Sequence, residues 1–203
     1  MTIHKQESTD TMGIQELIRD SSFTHSSRVA AISGLMAAAL GWLPPEGSAI
    51  TQAAQLHDVG KADIPPEILN KPGALTPEEY ELVKTHTASG CRRIEDAIAT
   101  LRIAATVCRE HHERIDGKGG YIGLAGHEIH PYSKVVAIAD VFDALYSKRV
   151  YKEPWDASDV CCFFREQAGK QFDAALVALL FALLPEILAM YGDSATGGAA
   201  KST

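Results

Sequence analysis

From about His25 onward, apolar side chains return every three to four residues, the spacing that lines one face of an α-helix. Val29, Ile32, Leu35, Met36 and Leu40 fall on one side of a helix predicted from about His25 to Leu40, with Gly41 near its end. A second helix is predicted from about Ser48 to His57, where Gly60 offers a C-terminal stop. The third has the clearest start: Thr76 as N-cap, Pro77 at the first helical position and Glu79 closing a capping box. It should run through His86 to about Gly90. Ile94, Ile98, Leu101, Ala105 and Cys108 predict one amphipathic helix over 94–112, and Val135, Ile138, Phe142 and Leu145 another over 131–147. Two more follow at about 156–168 and 173–190, the last kinked or restarted at Pro185. No alternating apolar and polar run is long enough to demand a strand, and no repeat occurs, so the expected fold is an all-α helical bundle.

Between these helices, 63–72 reads as a proline-marked loop and 117–126 as a glycine-rich loop without helical pattern. Residues 1–12 are polar and unpatterned and 192–203 small and polar. Both ends are therefore expected to fray, leaving an ordered domain over 13–191. A chain of 203 residues suits one domain with a well-buried core. Ala174 to Met190 is nearly all apolar, but Pro185 and Glu186 interrupt it and it falls short of the ~20 residues a membrane span needs. It reads as a buried helix.

Charge narrows the function. A formal net charge of −7 and a pI near 5.6 argue against gripping duplex nucleic acid or an anionic membrane, so any phosphate site must be local. Cys91, Cys108, Cys161 and Cys162 form no CxxC pair, and the adjacent Cys161 and Cys162 would be strained as a disulfide, so they read as reduced. The first twenty residues carry Lys5, Glu7, Asp10, Glu16 and Asp20 without an apolar stretch, which suggests a cytoplasmic protein.

The strongest chemical signal is His57-Asp58 at the end of an apolar helix. An imidazole beside a carboxylate offers two metal ligands, and the second carboxylate oxygen can bridge to another ion. An isolated His-Asp pair is more often a simple helix end, with the imidazole favouring the negative pole of the dipole. His25, His86, His111 and His112 shift that balance, because all border apolar faces of predicted helices. Several imidazoles buried without metal or carboxylate partners would be costly, and a shared centre satisfies them together. Asp140 follows Val135, Val136, Ala137, Ile138 and Ala139, where a carboxylate is rarely buried unless paired or ligated. These seven donors exceed what one ion accepts with water left for chemistry, so two ions are expected, able to activate a water and clamp phosphoryl oxygens. Nitrogen and oxygen donors without thiolate suit Fe, Mn or Zn.

At this point the chain resembles the HD-GYP branch of the HD-domain phosphohydrolases. The resemblance is carried by His57-Asp58-Val-Gly-Lys61, Ile64-Pro65 through Thr76, Lys84-Thr-His86 with Gly90, His111-His112-Glu113-Arg114-Ile-Asp116-Gly117, Ala139-Asp140-Val-Phe-Asp143, Arg149-Val-Tyr151-Lys152 and Gly169-Lys-Gln-Phe172-Asp173. They stand in unbroken order over roughly residues 21 to 185. The resemblance implies a helical bundle that hydrolyses cyclic di-GMP to a linear dinucleotide or GMP. It implies one ion on His25, His57, Asp58 and Asp140, with Asp58 bridging to a second on His86, His111 and His112. It further implies Lys61 at the scissile phosphate and Arg149 and Lys152 on phosphate oxygens. Arg114, Lys118 and Tyr121 flank the same motifs and join the substrate-binding candidates, with Asp58 and Lys61 as the catalytic pair.

Two departures stand out. Where the family has Gly-Tyr-Pro, this chain reads Gly119-Gly120-Tyr121-Ile122, so its tyrosine comes one residue late. Where members with three metals carry a glutamate, this chain has Ser21, which again implies two ions, Fe or Mn first and Zn, Ni or Co as alternatives. Lys118 does not make a phosphate-binding P-loop, since the GxxxxGK[ST] order and its preceding strand are absent. Two other functions stay open. One is a sensor or partner-binding module served by a homodimer or a separately encoded regulatory protein. The other is a diiron oxygenase on the same scaffold, against which Lys61, Arg149 and Lys152 argue.

Overall fold

The computed structural model describes residues 22–97, 101–119, 121–148 and 153–192. The predicted frayed stretch 1–12, the tail beyond Gly192, Ser21, Gly120, Arg149 and Lys152 lie outside the described residues. Within them the chain is helical with no strand: α1 (Ser22–Ala39), α2 (Glu46–Leu56), a 3₁₀ turn (Val59–Asp63), α3 (Pro66–Leu69), α4 (Pro77–Lys84), α5 (His86–Ala97), α6 (Arg102–Glu110), a second 3₁₀ turn (Gly126–Glu128), α7 (Pro131–Tyr146), α8 (Ala157–Gln167), α9 (Ala174–Ala182) and α10 (Leu184–Ala189). None of these helices is long and apolar enough to cross a membrane.

The core sits where α1 meets α2 and α7, and where α6 packs against α2, α5 and α7. Val29, Ile32 and Met36 of α1, Ile50 of α2, and Val135, Ile138 and Phe142 of α7 are all buried there, as the helical periodicity requires. Each such side chain contributes about 1.5–3 kcal/mol of transfer free energy. Leu40 is the exception among the α1 positions. It lies just past the helix end and is exposed.

Three elements depart from the sequence reading. The helix expected from Thr76 to Gly90 keeps its capping box, with Glu79 N–H on Thr76 Oγ1 at 3.2 Å and Thr76 N–H on Glu79 Oε2 at 2.7 Å, but ends at Thr85 and restarts at His86. The single helix expected over 94–112 is instead the end of α5 and the separate α6. Periodicity could not register that break, because both helices turn Ile94, Ala105 and Cys108 into the same core. The 63–72 loop holds one short helix, α3, started by Pro66 at its first position. The break at Pro185 stands as expected, with α10 restarting at Leu184.

Two glycines draw the site together. A Cβ at Gly60 would lie 1.9 Å from the His86 carbonyl oxygen, and one at Gly90 would lie 2.4 Å from Cys108 Sγ. The 3₁₀ turn and α5 therefore meet at backbone distance, and α5 leaves room for the Cys108 side chain of α6, which no larger residue permits. The buried Cys108 thiol, donating to the His57 carbonyl at 3.0 Å, ties α6 to the end of α2.

Candidate metal centre

Three of the histidines stand where helices end or restart, and this placement aims them. His57 caps α2, His111 caps α6, and His86 opens α5 directly after α4. A helix end leaves carbonyls three to four residues back without an intrahelical donor. His57 Nδ1–H donates to Ala54 O at 2.7 Å, His86 Nδ1–H to Val83 O at 2.6 Å and His111 Nδ1–H to Cys108 O at 3.0 Å. Each bond fixes the ring orientation and turns Nε2 inward.

Those nitrogens converge on two carboxylates. Asp58 Oδ2 lies 3.3 Å from His57 Nε2, while its Oδ1 lies 3.4 Å from His86 Nε2 and 3.8 Å from His111 Nε2. Asp140 Oδ1 lies 3.1 Å from His25 Nε2 and 3.8 Å from His57 Nε2. His112 joins the Asp58, His86 and His111 set, and its ring centroid is 5.3 Å from that of His86. Donor atoms of Asp58, His86, His111 and His112 lie within 4.8 Å of one another, as do those of His25, His57 and Asp58, and those of His57, His111 and Asp140.

A cation fits these groups on the protein's own evidence. The Nε2 atoms of His57, His86 and His111 and Oδ1 of Asp58 are buried without a hydrogen-bond partner, a rare and costly condition for polar atoms. Donors sharing one ion with bonds of about 2.0–2.2 Å lie roughly 3–4 Å apart, the spacing found here. The chemistry also matches, since the gathered donors are imidazole nitrogens and carboxylate oxygens.

Electrostatics divides the centre in two. Burial alone would lower the pKa of His57, yet Asp58 and Asp140 outweigh it and raise it to about 10. His25 is likewise raised, burial being overcome by Asp140 and Asp143. On the other side burial prevails. His86 is lowered, His111 falls well below its ordinary value, and His112 drops to about 4. Burial would raise Asp58, but Lys61 and His57 hold it well below the usual carboxylate range. Asp140 is held low by His25 and His57 against the same burial.

Lys61 places its ammonium on Asp58 Oδ2 and remains partly exposed, beside the cluster. Tyr121 stacks on His112, with centroids 5.0 Å apart and planes 26° from parallel. Arg114 and Lys118 are not drawn into the cluster. The Arg114 guanidinium forks onto Asp116, at 3.0 and 2.8 Å, and reaches Gln171 Oε1 at 3.1 Å. Lys118 is exposed on the glycine-rich loop.

Several groups take roles that the residues alone did not assign. Asp143, wholly buried, takes His25 Nδ1–H at 2.6 Å, Arg28 on both oxygens, Ser147 Oγ–H at 2.8 Å and the Tyr191 hydroxyl at 2.8 Å. A signal existed: Asp143 follows Asp140 by three on one apolar helix, and Arg28 follows His25 by three. Glu113 is also buried, and accepts the backbone N–H groups of Ile122, Gly123 and Leu124 at 2.8, 3.0 and 2.9 Å. Glu110 accepts His130 N–H at 2.9 Å and Ser133 Oγ–H at 3.1 Å, fixing the start of α7 to the end of α6.

Known proteins resemble this chain in sequence or in fold. The chain is 39% identical over 168 residues to a cyclic di-GMP phosphodiesterase of Thermotoga maritima, covering 82% of this chain and 46% of the relative. It is 36% identical to a cyclic di-GMP phosphodiesterase response regulator of Xanthomonas campestris pv. campestris, covering 85% and 46%. A 3'3'-cGAMP-specific phosphodiesterase of Vibrio cholerae is 36% identical, with 82% and 32% covered. The chain thus spans less than half the length of these curated relatives. Among solved structures, an HDG"Y"P protein of Bdellovibrio bacteriovorus shares the fold with TM-score 0.64 at 23% identity, covering 79% of this chain and 51% of that one. The HD domain of an L. monocytogenes phosphodiesterase, solved with cyclic-di-AMP, does so with TM-score 0.60 at 16% identity, covering 94% and 99%. The sequence profile of the HD domain matches residues 14–176, most of the chain. With its paired histidines and aspartates folded onto one centre, the chain belongs to the HD-domain family.

Proposed function

We propose that this chain is a phosphodiesterase that uses two divalent cations to hydrolyse a cyclic dinucleotide, cyclic di-GMP foremost, to pGpG or GMP. The observation that carries the reading is the two-way facing of Asp58, whose Oδ2 addresses His57 while Oδ1 addresses His86 and His111. His25, His57, Asp58 and Asp140 would hold one ion. Asp58, His86, His111 and His112 would hold the other, with Fe or Mn preferred and Zn, Ni or Co accepted. When bound, such a pair supplies an activated water and charge stabilisation for phosphoryl oxygens.

The protein's own groups do the rest. Asp58 orients both halves and holds Lys61 beside them. The Lys61 ammonium presents positive charge where a phosphodiester would approach. Arg149 and Lys152 are the further phosphate-binding candidates, with Lys118 and Tyr121 at the loop and Arg114 behind it. The names of the relatives support the substrate class, since each acts on a cyclic dinucleotide. Reduced cysteines suit a cytoplasmic setting.

The test is to load the protein with Mn or Fe, verify loading by elemental analysis, and incubate it with cyclic di-GMP, 3'3'-cGAMP and cyclic di-AMP. Conversion of at least one to a linear product is expected. No conversion of any, with metals in place, overturns the reading. Binding without product would favour a sensor instead, which the engagement of Arg114 with Asp116 and Gln171 supports.

A further inference from the structure

The metal-facing histidines are not steadied alike. His57, His86 and His111 donate Nδ1–H to a backbone carbonyl, and His25 donates to Asp143. Among the described residues, no such bond to the His112 ring is found, and what lies flat against it is Tyr121. We propose that Tyr121 is a positioning residue for His112, holding the imidazole by stacking where its neighbours are held by hydrogen bonds, and that Glu113 sets Tyr121 in place by pinning the loop. This rests on the reading of His112 as a ligand of the second ion.

Three features of the loop support the assignment. Glu113 is the residue after His112, and its carboxylate gathers the three N–H groups of Ile122, Gly123 and Leu124, which follow directly on Tyr121. A carboxylate taking several backbone donors is a strong, geometrically defined clamp. Gly119 runs so close to the backbone of 112–114 that a Cβ there would lie 2.9 Å from Glu113 Cα and 3.0 Å from the His112 carbonyl oxygen. With the chain pressed in at Gly119 and clamped from Ile122, Tyr121 is the side chain presented over His112. The ring also nears the α4–α5 junction, with Lys84 Nζ 5.4 Å from its centroid and the His86 ring 6.5 Å away, edge-on. A tyrosine one residue late in the loop thus reaches the ligand set itself. Near-parallel rings at this separation attract and fix each other's orientation, and groups that orient a ligand commonly change metal affinity about 10–100-fold when removed.

The experiment is calorimetric titration of the ion-free protein with Mn²⁺, supported by elemental analysis after dialysis, on the wild type, Tyr121→Ala, Tyr121→Phe, Glu113→Gln and His112→Ala. Circular dichroism checks that each variant is folded. Tyr121→Ala is expected to weaken one of two ions about tenfold and leave the other unchanged. Tyr121→Phe, which keeps the ring, should restore it, and Glu113→Gln should reproduce part of the selective loss. His112→Ala should lose the same ion altogether. If His112→Ala loses an ion while Tyr121→Ala binds as the wild type does, the positioning role is overturned and the ligand assignment survives. If His112→Ala keeps both ions, the ligand assignment itself fails. Equal weakening of both ions by Tyr121→Ala, or no rescue by Tyr121→Phe, also overturns the proposal.

Discussion

The two halves of the centre solve the same problem by opposite means. On the side of α1 and α7, His25 and His57 face Asp140, with Asp143 and Arg28 behind, so buried imidazoles meet buried carboxylates. On the side of α5 and α6, His86, His111 and His112 share one oxygen of Asp58, and two of their Nε2 atoms stay without a hydrogen bond. The first half is largely compensated by its carboxylates before any ion arrives, although His57 Nε2 too lacks a hydrogen bond. The second is a set of neutral lone pairs that only a cation completes. In the ion-free protein the carboxylates thus favour the charged form of His25 and His57 and burial the neutral form of His86, His111 and His112, the two sets joined through Asp58.

The largest effect should come from the joint between them. Asp58→Ala is expected to remove both ions and lower turnover by at least about a thousandfold, read by elemental analysis and product chromatography. Retention of one full ion would show the halves to be independent. Next in size are the single imidazoles in the ion-free protein. His25→Ala breaks a buried pair with Asp140 and Asp143 and should cost about 3 kcal/mol of stability in urea melts. His111→Ala should cost less than half as much, since it removes a buried imidazole facing no full partner.

Protons give a third contrast. Ligation requires neutral imidazole, so an ion entering the first half must displace the proton that His57 holds up to about pH 10. Its affinity should rise up to tenfold per pH unit between 7 and 9, with about one proton released. The second half, with His112 lowered to about 4 and His86 and His111 also lowered, should stay flat over that range. Calorimetry in buffers of different ionisation enthalpy separates the two, and equal proton release would erase the distinction.

Asp143 provides a fourth contrast, at low pH. Burial would raise its pKa, but His25 and Arg28 pull it down to about 2. A depressed carboxylate contributes stability that is present above its unfolded value near 3.8 and lost as pH falls through the folded value. That contribution is roughly 2 kcal/mol, and Asp143→Asn should flatten acid unfolding between about pH 4 and 2. An unchanged acid limb would remove Asp143 from the account of the compensated half.

Much of this was legible in the residues. The Thr76 cap, the restart near Pro185 and the inward faces of α1 and α7 follow from interactions within one or two turns. The clustering of the candidate donors was legible too, because imidazoles and an aspartate bordering apolar runs carry a desolvation penalty that must be met. The break at Thr85 was not legible, since a 3.6-residue pattern continues across it, nor was the clasp of Arg114 on Asp116 and Gln171.

What the sequence determined by itself was the helical class and the chemical kinds of donor, because helix propensity, capping and burial cost are set by near neighbours. Only the tertiary structure decided that Asp58 faces two ways, that Asp143 backs His25 across 118 residues, and that Tyr121 lies on His112. Those relations depend on how the helices and the glycine loop pack. Packing is fixed by the shape of the whole core, with Gly60 and Gly90 permitting its closest approach.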